Sequence, residues 1–274
     1  FMAILWKPLF DMGMAIDFAY RTFKWSNEAK GKAAVHCVIV SFSHGGLAKE
    51  KQIFDEEGKA KKVKQINGYL LDAPRIAIES RISPLCAVPS MGVGNQPIDG
   101  GFYLFSKEEK EAFLALEPEA APYFRRWVGS KEFINNIERY FLFLRDCSPA
   151  VLKKLPKCCE RIESVRQFRL SSKRAVTRKL ADTPREFAFT NMADNHFIMM
   201  PRVSSEIRRY IPLGFLDADT LISDAALMVA DATLYHFGIL TSSVHMAWMR
   251  TVCGRLKSDY RYSATIVYNN FPWP

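Results

Sequence analysis

Apolar residues in this sequence come only in short runs, and that limits the folds open to it. The longest, Ala33 to Phe42, is ten residues with His36 inside it, whereas a membrane-spanning helix needs about 20. Short runs become strands and small amphipathic helices that each bury one face against a neighbour. The 274-residue chain can supply a shared interior, because 49% of it is hydrophobic and 13% aromatic; disordered chains lack such apolar content. This length suits one large or two ordinary domains. Phe1 to Phe10 lacks the charged start and small-residue cleavage site of a secretory leader.

Strand and helix patterns follow one another without βαβ alternation, which argues for an α+β main body. Ile4 to Leu9 reads as a helix and, beyond Gly13, Ile16 to Tyr20 as a strand. A polar loop, Lys24 to Lys32, precedes a second strand, Ala34 to Phe42, so the pair reads as a hairpin at a sheet edge closing an α/β unit. The first helix has no capped start, and a fragment of a longer protein is expected. His44 to Gln65, with Lys59, Lys61, Lys62 and Lys64, reads as a linker or exposed loop, and the Pro- and Gly-rich Ile66 to Ser106 as irregular chain with short strands. Ser106 and Glu109 form a capping box for a helix from Lys107 to about Leu116. Ser148 caps a helical start at Pro149. Beyond it Cys158, Ile162, Val165 and Phe168 mark an apolar stripe, with Arg166, Arg169 and Lys173 sharing the opposite face. Phe197 to Met200, Ile211 to Leu216, Leu227 to Val229 and Thr233 to Phe237 are strand candidates. Ser243 to Leu256 reads as a helix with Val244, Trp248, Val252 and Leu256 on one face.

Charge is gathered rather than spread. The whole chain is +9, with 38 Lys and Arg against 29 Asp and Glu. Arg139 to Arg185 alone holds 13 basic and 4 acidic residues, leaving 25 of each elsewhere. Such clustering points to a polyanion-binding face, since Lys and Arg that converge on phosphates release condensed counterions.

Self-sufficient catalytic motifs are missing. The cysteines Cys37, Cys86, Cys147, Cys158, Cys159 and Cys253 make no C-x-x-C pair and have no His at zinc spacing, which fits a reducing cytosol. His236 and His245, read as lying on a strand and a helix, have no adjacent acid or Cys and are assigned structural roles. Gly45-Gly46 and Gly92-Val93-Gly94 lack the strand-turn-helix context of a nucleotide loop. Asp17 with Glu28-Ala29-Lys30 copies the spacing of metal-dependent nucleases, but the hairpin puts Asp17 and Glu28 on different elements with nothing to converge them.

Several long strings carry a family likeness. Arg21 to His36, Gly68 to Pro74, Gly94 to Gly101, Arg125 to Gly129, Leu234 to Ser243, Leu256 to Ser263 and Val267 to Pro274 resemble MmeI-like adenine DNA methyltransferases, the fused restriction and modification enzymes of bacteria. The resemblance implies a fragment: the last helix and strand hairpin of an α/β methyltransferase core over residues 1–65, a mixed-sheet target-recognition domain over 66–240, and the start of a helical region over 241–274. It implies a bacterial cytoplasmic enzyme that acts on double-stranded DNA with S-adenosylmethionine. The glycine loop for that cofactor and the Asn-Pro-Pro-aromatic motif are absent from this sequence, and Asn269-Asn270-Phe271-Pro272 does not replace them. The fragment alone is therefore expected to bind no cofactor and methylate nothing. A stand-alone, non-catalytic DNA-binding specificity protein is the alternative.

Site roles follow from the same resemblance. Phe23 or Trp25 holds the place of an aromatic that stacks on the flipped adenine. Ser171 to Arg174 and Arg202 to Arg209 resemble the recognition region, so Lys173, Arg174, Glu206 and Arg208 are expected at base edges, where Arg pairs with guanine and Glu accepts from the cytosine amino group. Lys153, Lys154, Arg166, Arg169, Arg178 and Lys179 continue the positive stretch and are expected at phosphates.

Overall fold

A computed structural model describes residues 2–25, 35–45, 47 and 50–274. Two compact units divide it. The first takes the residues up to Ala87 with Ser205–Ile207 and Ser243–Pro274, the second Val88–Ser204 with Arg208–Ser242. Among the described residues no helix is long and apolar enough to cross a membrane.

The first unit opens with a helical turn, Met2–Trp6, and α1 (Lys7–Asp11). Strands β1 (Met14–Trp25), β2 (Val35–His44), β3 (Lys51–Phe54) and β4 (Ala60–Val63) form one sheet in the order β2-β1-β3-β4. The β1–β2 and β3–β4 pairs are antiparallel and β1–β3 is parallel. Met2, Trp6, Ile16, Ala19 and Ile66 are buried together, with Phe10, Val40 and Ile53 packed on them. As expected of two strands joined by a polar loop, β1 and β2 pair antiparallel with β2 at the sheet edge. Because β1 runs to Trp25, the polar connection begins later than Lys24; its remainder to Lys32 lies outside the described residues. The linker expected over His44 to Gln65 is instead largely the β3–β4 hairpin. Asp55 turns it, its carboxylate accepting from the backbone N–H of Glu57 and Lys59 at 3.1 and 2.8 Å. The lysines line an edge strand, where charge discourages further strand pairing.

The second unit carries strands β5 (Met91–Val93) and β6 (Leu104–Phe105), helix α2 (Lys107–Leu116), strand β7 (Phe124–Val128), helix α3 (Ser130–Asn135) and strand β8 (Tyr140–Leu142). Helices α4 (Pro149–Leu152), α5 (Pro156–Leu170) and α6 (Ala175–Lys179) follow, then β9 (Phe197–Pro201), β10 (Val203–Ser204), β11 (Gly214–Leu216), β12 (Leu221–Ile222), β13 (Ala226–Ala230) and helix α7 (Leu234–Leu240). An antiparallel sheet, β11-β9-β13-β5, and a mixed sheet, β12-β7-β8-β6, are built from them. Under the mixed sheet Trp127 stacks on Phe141 at 5.0 Å, in a core shared with Tyr103, Phe105, Leu155 and Val165. Gly94 and Asn95 stitch the chain to β12. A Cβ at Gly94 would collide with the carbonyl oxygens of Ile222 and Ser223. Asn95 donates from its backbone N–H and its Nδ2 to the Ile222 carbonyl at 2.7 and 3.0 Å, and its Oδ1 accepts from the Asn191 N–H at 2.8 Å.

Two expectations fail here for local reasons. Thr233–Phe237 is not a strand: the Thr233 backbone N–H donates to His236 Nδ1 at 3.1 Å, which caps α7, and His236 therefore lies on a helix. In the first unit α8 (Ser243–Val252) stops short of Leu256 and buries His245, Met246, Met249 and Val252, while Val244 is 69% exposed. The chain then enters a hairpin of β14 (Gly254–Leu256) and β15 (Asp259–Arg261), which turns at Lys257 with φ +57°. Beyond it Asn269 Nδ2 donates to the carbonyls of Arg81 and Ile82 at 2.8 and 2.9 Å, fixing an otherwise irregular segment.

Candidate nucleic-acid interface

The positive stretch folds mainly as α4, α5, a corner at residues 171–174 and α6, and its side chains divide into an inward and an outward set. Arg169 heads the inward set and corrects the phosphate role expected for it. On α5 the stripe of Cys158, Ile162 and Val165 continues four residues on to Arg169 rather than to Phe168, so Arg169 is 1% exposed and Phe168 40%. All five of its N–H groups meet backbone carbonyls. Nε donates to Ile98 at 3.0 Å, Nη1 to Leu180 and Thr183 at 2.7 and 2.9 Å, and Nη2 to Pro97 and Glu186 at 2.8 and 2.7 Å. Burial lowers its pKa, while the neighbouring Tyr103, Asp99 and Glu186 favour the charge. A guanidinium fork suits this task because its donors are rigid and diverge.

Other members of the stretch are also engaged within the fold. Arg161 lies 4.9 Å over the Phe105 ring and donates to the Phe102 carbonyl at 3.3 Å. Arg185 donates to the Cys147 carbonyl at 2.7 Å, and Lys157 pairs with Glu160 at 2.8 Å.

The outward set is Lys153, Lys154, Arg166, Lys173, Arg174, Arg178 and Lys179, all exposed. Arg166 faces Glu163 at 3.6 Å. Lys173 and Arg174 stand on the corner between α5 and α6, and the corner is braced. Arg178 Nη1 donates to the carbonyls of Ser172 and Lys173 at 2.9 and 3.0 Å, and Ser172 Oγ accepts from the Arg174 N–H at 3.2 Å. Two basic side chains thus project from a fixed backbone at a helix joint, where they can reach phosphates or base edges.

The remaining predicted residues lie elsewhere. Glu206, at the turn following β10, belongs to the first unit, and Arg208, half-buried, to the second. Glu206 meets Arg255 at 3.3 Å. Arg255 was not singled out by sequence, because it lies in the part of the chain where charges balance. Phe23 and Trp25 follow a bulge in β1 between Tyr20 and Phe23, which shifts the register and re-aims the strand end. Their rings are 6.3 Å apart; Phe23 is half-buried and Trp25 56% exposed. A further polar group escaped the charge pattern: Gln96 Nε2 donates to Asp224 Oδ2 at 3.3 Å, and Arg202 Nη1 to the Asp224 carbonyl at 3.0 Å. The Gly94 to Gly101 and Arg202 to Arg209 strings contained Gln96 and Arg202, but nothing in the sequence pointed to Asp224.

Asp17 and the Gly92–Gly94 pair, weighed above for metal and nucleotide binding, are packed within the fold. Asp17 is buried beside Lys51, 3.7 Å away, and Lys51 also donates to the Ile16 carbonyl at 2.8 Å; Glu28 and Lys30 lie outside the described residues. Among the described residues no group of three His, Cys, Asp or Glu could hold a metal ion. Gly92 is covered by the Asn191 side chain and Gly94 by β12, so this glycine pair forms no phosphate cradle.

Comparison with known proteins agrees along the whole length. Residues 72–274 match the family described as MmeI, target recognition domain, and residues 1–55 the family described as MmeI, DNA-methyltransferase domain. DNA methyltransferase A of Bacillus subtilis (strain 168) is 44% identical over 273 residues, covering 100% of this chain and 31% of that protein. A solved structure of the Type IIL restriction-modification enzyme MmeI in complex with DNA superposes with a TM-score of 0.92 at 43% identity, covering 100% of this chain and 37% of that one. The chain thus spans about a third of the length of the relatives it matches. It belongs to the MmeI family, with a stretch of DNA-methyltransferase domain followed by a target recognition domain.

Proposed function

We propose that this chain reads DNA for a site-specific adenine-N6 methyltransferase, and that the full-length enzyme works on double-stranded DNA with S-adenosylmethionine as methyl donor. The observation that carries the reading is the braced corner at Lys173 and Arg174, in a domain whose family is defined by target recognition. Lys153, Lys154, Arg166, Arg178 and Lys179 supply phosphate contacts, while Lys173, Arg174, Glu206 and Arg208 face base edges. Phe23 or Trp25 stacks on the adenine once it leaves the helix, offsetting a few kcal/mol of unstacking. The described residues carry no glycine loop that fits the methyl donor, since Gly92 and Gly94 are packed against Asn191 and the Ile222 and Ser223 carbonyls. No methyl-transfer step is therefore assigned to them.

The test uses the full-length enzyme. Lys153→Ala and Lys154→Ala should weaken binding alike on all duplexes and reduce the slope of log K against log salt by about one each. Lys173→Ala or Arg174→Ala should relax preference at single base pairs by about 1–3 kcal/mol. Unchanged site preference in all four base-edge variants, Lys173→Ala, Arg174→Ala, Glu206→Ala and Arg208→Ala, would overturn the base-reading roles. Phe23→Ala and Trp25→Ala that both methylate normally would overturn the stacking role.

A further inference from the structure

The turn at Glu206 and the β14–β15 hairpin belong to one compact unit. Within the hairpin, Arg255 sits directly opposite Tyr260 in register, so their side chains share a face. Tyr260 is buried, and the Arg255 guanidinium lies 4.0 Å over its ring. Arg255 Nη1 also donates to the Ser258 carbonyl at 2.6 Å and to Glu206 Oε2 at 3.3 Å. The guanidinium is therefore held by a ring, a backbone carbonyl and a carboxylate together.

As a stability device this pair is a poor one, because both side chains are 40% exposed and exposed ion pairs contribute little. As an orienting device it is well made. A Glu on an exposed turn samples many rotamers, and Arg255 engages one of its oxygens. Oε1 is left with no partner among the described residues, as an acceptor for a base amino group. Next to it Ile207 is 90% exposed, so the turn projects. Fixing a reading group before the ligand arrives is how a recognition site gains discrimination.

We propose that Arg255 is a positioning residue for sequence specificity: stacked on Tyr260, it presents the Glu206 carboxylate to one base pair of the target. This rests on the base-edge role of Glu206 proposed above.

The experiment compares full-length Glu206→Ala, Arg255→Ala, Arg255→Lys and the Glu206→Ala/Arg255→Ala double variant on duplexes in which each base pair of the methylated site is varied, with thermal melts as a folding control. Glu206→Ala should relax discrimination at one base pair. Arg255→Ala should relax the same base pair by about tenfold and leave the others and the salt dependence unchanged. Arg255→Lys should fall between it and wild type, since an ammonium keeps the charge but not the fork, and the double variant should match Glu206→Ala. Arg255→Ala overturns the inference if it keeps the wild-type profile, relaxes a different base pair, or lowers methylation of every duplex with a reduced salt slope, while Glu206→Ala still relaxes its own. If Glu206→Ala changes no base preference, the reading of Glu206 itself falls, and the inference with it.

Discussion

Removing the Arg169 side chain should unfold the chain at a lower temperature and leave DNA electrostatics alone. Its guanidinium makes five hydrogen bonds of 2.7–3.0 Å, all to backbone carbonyls. Bonds to a charged group contribute about 1.5–3 kcal/mol each, a gross sum on the order of 10 kcal/mol, and desolvating the cation takes back several kcal/mol. Arg169→Met keeps an apolar stem but removes a charged donor from five carbonyls, of which, among the described residues, only those of Leu180 and Thr183 keep a backbone N–H, from Thr183 and Glu186 at 3.2 and 3.0 Å, so a net loss of about 4 kcal/mol is expected, in the range measured when buried charge networks are broken. Arg169→Lys should lose about 3 kcal/mol, because one ammonium offers three donors from a single point. At about 2–4 °C per kcal/mol for domains of this size, the melting temperature should fall by about 10 °C in both variants. Differential scanning calorimetry measures this, and DNA binding across a salt series on refolded or low-temperature samples provides the counter-assay. A melting temperature within about 2 °C of wild type, together with a salt slope reduced by about one, would refute the reasoning and make Arg169 a phosphate contact.

The cap of α5 should be equally testable: the buried Glu117 carboxylate accepts from the N–H groups of Lys157 and Cys158 at 2.6 and 3.1 Å, and Glu117→Ala should cost about 2 kcal/mol by urea denaturation. Gly94→Ala should destabilise by more than about 2 kcal/mol, because the added Cβ meets rigid carbonyls rather than a mobile side chain; an unchanged melting temperature would contradict the packing. His245, buried and hydrogen-bonded to the Tyr262 hydroxyl at 2.9 Å, has its pKa lowered to about 4 by burial. The unfolded state, titrating near 6.5, then binds more protons between those values, so this contribution is full above about pH 6.5 and is lost as pH falls toward 4, by about 3 kcal/mol at most. His245→Asn should flatten that part of the urea midpoint against pH curve.

What could be read from the sequence was chemistry settled within a few residues. The Ser106–Glu109 box is present as expected, with Ser106 Oγ accepting from the Glu109 N–H at 3.2 Å and the Ser106 N–H donating to Glu109 Oε2 at 2.7 Å. The β1–β2 pairing followed from two apolar runs separated by a polar loop. Distant partners were illegible. Nothing near Leu155 signals that α5 is capped by Glu117, about 40 residues upstream, and nothing near Arg169 signals that carbonyls at 97–98 and 180–186 converge on it. Composition misled where side-chain chemistry outweighed it, as when His236 turned a Leu- and Tyr-rich segment into a capped helix. Several of the strings that carried the family likeness prove to be packing elements, among them Trp127 on Phe141 and Asn95 on Ile222. They identify the fold securely and say little about which side chains touch DNA. The outward lysines and arginines were legible as a group, but the inward ones among them were not.

Ser205–Ile207 is a three-residue visit by the chain to the first unit, between two stretches of the second. For anyone transplanting specificity between relatives, this means the second unit is not a contiguous cassette. A graft cut at the boundaries of the second unit would bring the donor's residue at position 206 and leave behind the recipient's β14–β15 hairpin, separating Glu206 from the Arg255 and Tyr260 it was built with. Exchange of position 206 should therefore succeed when residues 254–261 travel with it, so that two short segments far apart in sequence behave as one heritable letter of the recognition code.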